Sequence, residues 1–227
     1  HGLVAAPQAS PRILLRRVQG EIDDRQYRNL ENIRVSADNL LSLINDILDL
    51  SRIESGEYEL SEEFLNVSDS MASSRHRCLP GAADENLAAI KVEVAPDAPT
   101  LLADGTAISQ ILDNLLTNAI KYAGTFPEIT LSWNVSENGS GILRVHDNGP
   151  GIPADELNKI MQPFVRGRNA DGGAPEITRK IDGVGLGLHI VSRLVEMHQA
   201  EFMIESASGD GTTVSVTFPK ERVSSPV

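Results

Sequence analysis

The chain has 227 residues, 41% of them hydrophobic, so it is long enough to bury one large core or two small ones. Its 32 acidic and 20 basic residues give a formal net charge of -12 at pH 7, which argues against a general nucleic-acid-binding surface. No apolar run reaches the roughly 18 residues that span a bilayer, and the single cysteine, Cys78, cannot form an internal disulfide. We therefore expect a cytoplasmic fragment without a membrane segment, whether or not the parent protein is attached to a membrane.

The N-terminal quarter has the periodicity of a helical hairpin. An apolar stretch at 13–18 is followed by Gly20 and paired aspartates, which suit a turn. From Gln26 to Glu54 the apolar side chains recur in steps of three and four, which predicts a bundle-forming helix. Two antiparallel helices cannot cover so wide a stripe, so we expect a symmetric homodimer with a four-helix bundle. The alternative is that the hairpin packs on its own second domain.

The rest of the chain has shorter predicted elements. We predict strands at 90–94, 129–135, 142–146, 201–205 and 213–218, and helices at about 106–122 and 186–198. This order favours a mixed sheet with helices on one face. Between Pro163 and Asp182 there is little apolar periodicity, which indicates either a functional lid, our preferred interpretation, or a disordered insertion. We place a hairpin at 1–56, a linker at 57–66, a second domain at 67–222 and a tail at 223–227.

The helix predicted at 106–122 carries two carboxamides one turn apart. Asn114, Asn118 and Lys121 share one face. The opposite side can face the core through Ile111, Leu112, Leu115, Leu116 and Ile120. An amide oxygen suits magnesium, so we predict Asn118 as a metal ligand, with Lys121 against phosphate and Tyr122 nearby. The alternative is that both asparagines simply face water.

A second string, at 147–152, places a carboxylate before two glycines. Asp147 follows a predicted strand and can accept a hydrogen bond from an exocyclic amine such as that of adenine. Gly149 and Gly151 permit a positive φ or a close backbone approach. The same string is also typical of an ordinary turn.

Two further glycine clusters follow. Gly183, Gly185 and Gly187 surround the expected start of a helix, where free N–H groups favour phosphate, although such a cluster is weak evidence alone. The cluster at 209–213, which contains Thr212, also suits a plain hairpin turn. The four strings together are spaced as a single nucleotide pocket requires. In so acidic a chain the candidate phosphate-neutralising groups are Lys121, Arg166, Arg168, Arg179 and Lys180.

These strings resemble the motifs of sensor histidine kinases over nearly the whole chain. Residues 112–122 resemble the N box, 147–152 the first glycine box, 163–166 the F box, 183–188 the second glycine box and 209–213 the last one. Residues 43–56 closely resemble the second helix of the dimerisation and phosphotransfer domain.

The resemblance implies an α+β fold, in which a helical hairpin forms a dimeric four-helix bundle and is followed by a Bergerat-type α/β sandwich with a mixed sheet. It implies an enzyme that binds ATP and Mg2+ and passes the γ-phosphoryl group to a histidine, then to an aspartate of a response-regulator receiver domain. The implied nucleotide contacts are Asn114, Asn118, Lys121, Tyr122, Asp147, Gly149, Gly151, Ile152, Gly183, Gly185, Leu186, Gly187, Leu188 and Thr212, with Asn118 on the metal. The implied catalytic residues are His1, Lys121 and Arg166, and the segment from Pro163 to Asp182 is the implied ATP lid.

The predicted phosphoacceptor, His1, lies in an altered motif. The H box of the family reads like His-Glu-Leu-Arg-Thr-Pro, whereas this chain begins His1-Gly2-Leu3-Val4-Ala5-Ala6-Pro7. Gly2 replaces the acidic neighbour that can act as base toward the imidazole, and Ala5 replaces the side chain that positions water for dephosphorylation. One alternative is therefore a degenerate, ATP-binding dimeric scaffold (a pseudokinase). Another is an ATPase of the same sandwich, such as a topoisomerase or chaperone, against which the upstream hairpin counts. For the other four histidines we expect surface or packing roles.

Overall fold

The computed structural model describes residues 23–79, 89–95, 97–124, 126–160 and 185–224. The chain divides into two units, residues 1–45 and 46–227. The first helix of the hairpin and the lid lie outside the described residues, as do His1, Arg166, Arg168, Arg179, Lys180 and Gly183. None of the helices within the described ranges is long and apolar enough to cross a membrane.

The described elements alternate between strands and helices after one long helix. The helices are α1 (Asp24–Glu54), α2 (Val67–Cys78), α3 (Gly105–Tyr122), α4 (Ala154–Ile160) and α5 (Gly187–Met197). The strands are β1 (Glu62–Leu65), β2 (Ala89–Val94), β3 (Thr100–Asp104), β4 (Glu128–Val135), β5 (Gly141–Asp147), β6 (Glu201–Ser206), β7 (Thr212–Phe218) and β8 (Val223–Ser224). Every predicted element that falls on described residues is present, with its ends within two residues of the prediction.

Helix α1 begins in a capping box. Asp23 Oδ1 accepts from the Gln26 N–H at 2.7 Å, and Gln26 Oε1 accepts from the Asp23 N–H at 3.1 Å. The helix ends before Gly56, whose φ is +73°. Its apolar stripe remains 40–65% exposed in the single chain, at Leu30, Ile33, Leu40, Leu41, Ile44, Ile47 and Leu48.

Five strands form the main sheet in the order β2-β4-β5-β7-β6. Strands β2 and β4 are parallel and the other neighbours are antiparallel, which confirms the predicted mixed sheet. Helices α2, α3 and α5 pack against it. Alternation along the strands buries Ile129, Leu131 and Trp133 of β4, while Arg144 of β5 points to the open face. The α+β fold class is confirmed.

A second, antiparallel sheet in the order β1-β3-β8 was not predicted. Strand β1 lies within the segment that we assigned to the linker, and β8 lies within the assigned tail. Both are short, and β1 is mostly exposed, so neither has the alternation that marks a strand in a sequence. Helix α2 was missed because the third position on its buried face is Ser74 rather than an apolar residue.

Candidate nucleotide-binding site

The helix that carries the site asparagines, α3, is capped by Asp104. Asp104 Oδ1 accepts from the N–H groups of Thr106 at 2.8 Å and Ala107 at 3.0 Å, as in a standard N-cap. Its Oδ2 accepts from the Ser61 N–H at 2.8 Å. Burial raises the pKa of the Asp104 carboxyl, but the three backbone donors outweigh burial, so the pKa lies below its usual value. The start of α3 is therefore fixed from two sides.

The buried imidazole of His198 fixes the same point from α5. His198 Nε2 accepts from the Asp104 N–H at 3.2 Å, so its Nδ1 carries the proton and donates to the Leu194 carbonyl at 2.7 Å. Burial lowers the pKa of His198, which keeps the ring neutral. His198 thus has the packing role expected for it.

The face of α3 with Asn114, Asn118 and Lys121 adjoins its buried side, and all three residues are half-buried. Asn114 Nδ2 donates to the Gln110 carbonyl at 3.0 Å. Its Oδ1 points at the start of α5, where a Cβ on Gly187 would lie only 2.6 Å away. The residue Asn118 is half-buried, and its side-chain amide makes no hydrogen bond to another described residue. The predicted core side is confirmed for Ile111, Leu112, Leu115 and Leu116, which are buried, while Ile120 is half-buried.

The end of α3 carries the predicted phosphate contacts. Lys121 Nζ lies 5.1 Å from the centre of the Tyr122 ring, and among the described residues it forms no ion pair. Tyr122 is 42% exposed. A lysine with no ion-pair partner in the described ranges and an exposed phenol are therefore available at this end of the helix.

The carboxylate of Asp147 is nearly buried at the end of β5, with 8% exposure. Its Oδ1 accepts from the Gly149 N–H at 2.9 Å, and the Thr212 N–H also donates to the carboxylate. Burial raises the pKa of Asp147, and these two bonds oppose the shift only in part. A Cβ at Gly149 would lie 2.9 Å from Ala123 Cα, so this turn packs against the end of α3.

The two loops that flank Asp147 pack too closely for side chains. Gly151 has a φ of +72°, and a Cβ there would lie 1.9 Å from the Ala207 carbonyl oxygen. Gly211 has a φ of +76°, and a Cβ there would lie 2.0 Å from the Asp147 carbonyl oxygen. The strings that contain these glycines are also typical of ordinary turns. Here the contact between the two loops leaves no room for a side chain at Gly151 or Gly211.

Ser206 was missed by the sequence analysis. Its Oγ accepts from the Ile152 N–H at 2.8 Å, donates to the Gly211 carbonyl at 2.7 Å and lies 3.0 Å from Thr212 Oγ1. Nothing in the sequence separates this serine from others at strand ends, because its partners are up to 54 residues away.

Helix α5 presents its N-terminus next to Asn114. The helix begins at Gly187 after Leu186, and among the residues that the structure describes no side-chain hydrogen bond caps its first N–H groups. Leu186 is 1% exposed, whereas Leu188 is half-buried. Gly185 precedes the helix with a φ of +79°.

The described site residues thus form two connected groups. Asp147, Gly149, Gly151, Ile152 and Thr212 form the first, and Asn114 with the start of α5 forms the second. Helix α3 connects them through its packing against Gly149. No group of three or more His, Cys, Asp or Glu side chains that could hold a metal occurs in the described part of the chain.

Two family models match the chain. Residues 103–222 match the histidine kinase-, DNA gyrase B-, and HSP90-like ATPases, which supports the use of ATP. Residues 12–56 match the His Kinase A (phospho-acceptor) domain, a range that does not include His1.

Relatives and solved structures agree with these matches. The cell-division control histidine kinase PdhS of Brucella suis is 31% identical over 207 residues, which are 90% of this chain and 20% of PdhS. The chain therefore spans about a fifth of the length of the curated relatives it matches. Full-length ShkA, solved in complex with AMPPNP, is 28% identical with a TM-score of 0.71 over 90% of this chain and 40% of ShkA. The Acinetobacter baumannii histidine kinase AdeS shares the fold at 22% identity, with a TM-score of 0.61 over 93% of this chain and 95% of AdeS. The chain belongs to the histidine kinases, with the ATPase domain of that family following a phosphoacceptor-type region.

Proposed function

We propose that this chain is the core of a sensor histidine kinase, which binds Mg-ATP and transfers the γ-phosphoryl group to a histidine and then to an aspartate of a response-regulator receiver domain. The observation that carries the proposal is the nearly buried Asp147 carboxylate, held beside the helix of Asn114 and Asn118. The relative PdhS is named a histidine kinase, and ShkA was solved with AMPPNP. We also propose a cytoplasmic location for this part of the protein.

Asp147 is the proposed adenine contact. The Gly149 and Thr212 N–H groups take part of the acceptor capacity of the carboxylate and fix its orientation. The remaining lone pairs can accept the exocyclic amine of adenine. A purine with a carbonyl at that position would place two acceptors against each other, so we expect the site to prefer adenine.

The phosphates are proposed to lie between α3 and the start of α5. Uncapped N–H groups at Gly187 favour anions, and Lys121 supplies a positive charge in a chain whose net charge is -12. Arg166 remains a predicted contact on sequence grounds. The half-buried amide of Asn118, with no partner among the described residues, fits a ligand that binds magnesium together with water and phosphates. Magnesium bound there would neutralise phosphate charge.

The proposals for the phosphoacceptor and for the dimer do not rest on the nucleotide site. His1 is proposed as the acceptor from its position in the first helix predicted for the hairpin, counted back from the Gly20 turn. The exposed stripe of α1 supports a homodimer, because seven leucine and isoleucine side chains 40–65% exposed exceed what a lone helix normally leaves in water. No observation on the described residues favours the scaffold alternative.

Calorimetry with the full chain tests the nucleotide site. Asp147→Asn keeps the side-chain shape but removes the charge, so we expect ATP affinity to fall about 10- to 100-fold, the value of a hydrogen bond to a charged group. Glu137→Gln is the matched control, because it removes one negative charge from an exposed turn at the opposite end of β5. An Asp147→Asn protein that binds ATP as the unchanged chain does would contradict the proposal.

Labelled ATP tests the transfer. We expect acid-labile, alkali-stable label on the chain, lost in His1→Ala and kept in His76→Ala, which changes an exposed histidine of α2. A dimer that binds nucleotide but takes no label would support the scaffold instead. Light scattering of the same samples measures whether the chain is a dimer.

A further inference from the structure

The hydroxyl of Ser206 joins the two loops that flank Asp147. It donates to the Gly211 carbonyl at 2.7 Å and accepts from the Ile152 N–H at 2.8 Å. Because a hydroxyl has a single proton to donate, the contact with Thr212 Oγ1 at 3.0 Å is made by the threonine proton. All three hydrogen-bonding positions of Ser206 are therefore used.

Each loop that Ser206 holds supplies one donor to the Asp147 carboxylate. Gly149 N–H comes from the loop that contains Ile152, and Thr212 N–H comes from the first residue of β7, directly after the loop that follows β6. The Gly209 N–H also donates to the Pro150 carbonyl at 2.8 Å, so the loops are in direct contact. The orientation of the carboxylate therefore depends on the distance between the loops.

We propose that Ser206 is a positioning residue for purine recognition. Through Ile152, Gly211 and Thr212 it holds the Asp147 carboxylate in the orientation that accepts an exocyclic amine, and so sets the preference for adenine over a purine with a carbonyl at that position. This inference rests on the proposed function of Asp147. Ser206 itself need not touch the nucleotide.

The test compares two nucleotides by calorimetry on the full chain. Inosine triphosphate carries a carbonyl where ATP carries the amine. The affinity for ATP divided by the affinity for inosine triphosphate therefore measures the contact made by Asp147. In Ser206→Ala we expect this ratio to fall about tenfold, because a misplaced carboxylate loses a charge-assisted hydrogen bond. If Ser206 had a merely structural role, Ser206→Ala would lower the affinities for both nucleotides by the same factor and leave their ratio unchanged.

Ser136→Ala is the matched control. The Ser136 hydroxyl also lies in a turn, within hydrogen-bonding distance of two acceptors, Asn138 Oδ1 at 2.6 Å and the Ser140 carbonyl at 2.9 Å, but at the far end of β5. We expect its ratio to equal that of the unchanged chain.

Two further variants keep the test decisive if Ser206→Ala does not fold. Ser206→Thr retains the hydroxyl and should retain the ratio, whereas Ser206→Cys, with a weakly bonding thiol, should lose it. An unchanged ratio in Ser206→Cys or in folded Ser206→Ala, with a clear ATP preference in the unchanged chain, overturns the role of Ser206 alone. An unchanged chain with equal affinity for both nucleotides refutes the role of Asp147 and this inference with it.

Discussion

Asp104 offers a direct test of how the site helix is held. Asp104→Ala removes the N-cap of α3, which is worth about 1 kcal/mol, and the bond from the Ser61 N–H, worth about another 1–2 kcal/mol to a charged acceptor. We therefore expect the free energy of unfolding to fall by about 2–3 kcal/mol. For the unit at residues 46–227 this is a loss of about 5–10 °C in Tm. Asp104→Asn keeps one oxygen for the cap and should lose only about 1–2 kcal/mol.

The chain contains one tryptophan, Trp133, which is 1% exposed, so its fluorescence in urea reports the unfolding of this unit. The pKa of Asp104 is lowered in the folded chain, so its stabilisation is present above the ordinary value of 3.8 and is lost as the pH falls through the folded pKa. The difference between the unchanged chain and Asp104→Asn should therefore shrink in that acid range. Asp97→Ala, at an exposed acid, is the control. A change within about 0.5 kcal/mol for Asp104→Ala at neutral pH would refute this account of the cap.

Three other predictions use different observations. The pKa of His198 lies below 6.5 in the folded chain, so the unfolded chain binds more protons and the free energy of unfolding should fall as the pH drops below 6.5. In urea titrations at several pH values, His198→Gln should reduce this dependence of the unfolding free energy on pH. Gly141→Ala would place a methyl group 2.2 Å from the buried indole of Trp133 in β4 and should lower the free energy of unfolding by about 1–3 kcal/mol. Gly105→Ala, whose methyl group would have its nearest contact at 3.4 Å, should leave the free energy of unfolding unchanged or raise it in the same assay. Gly187→Ala should displace the Asn114 amide and lower nucleotide affinity in calorimetry without lowering Tm, and a parallel loss of both would contradict that reasoning.

Much of the main sheet could be predicted because its information is local. Alternation in β4 and β5 and the steps of three and four in α1 and α3 depend only on neighbouring residues. The same holds for the candidate site as a set of strings, since Asn114, Asn118 and Asp147 stand in short motifs whose order and spacing suffice for a family resemblance. The lid, the first hairpin helix and His1 stay predictions.

The sequence by itself determined the strands of the main sheet, the helices α1, α3 and α5, the family resemblance and the residues worth testing, because each depends on local periodicity or on short motifs in a fixed order. Only the tertiary structure decided which polar groups hold those residues in place. The His198 ring meets the Asp104 N–H across 94 positions, and the Ser206 hydroxyl meets the Ile152 N–H across 54. A buried polar group must find a partner wherever the fold brings one near, and neither composition nor periodicity encodes which partner that is.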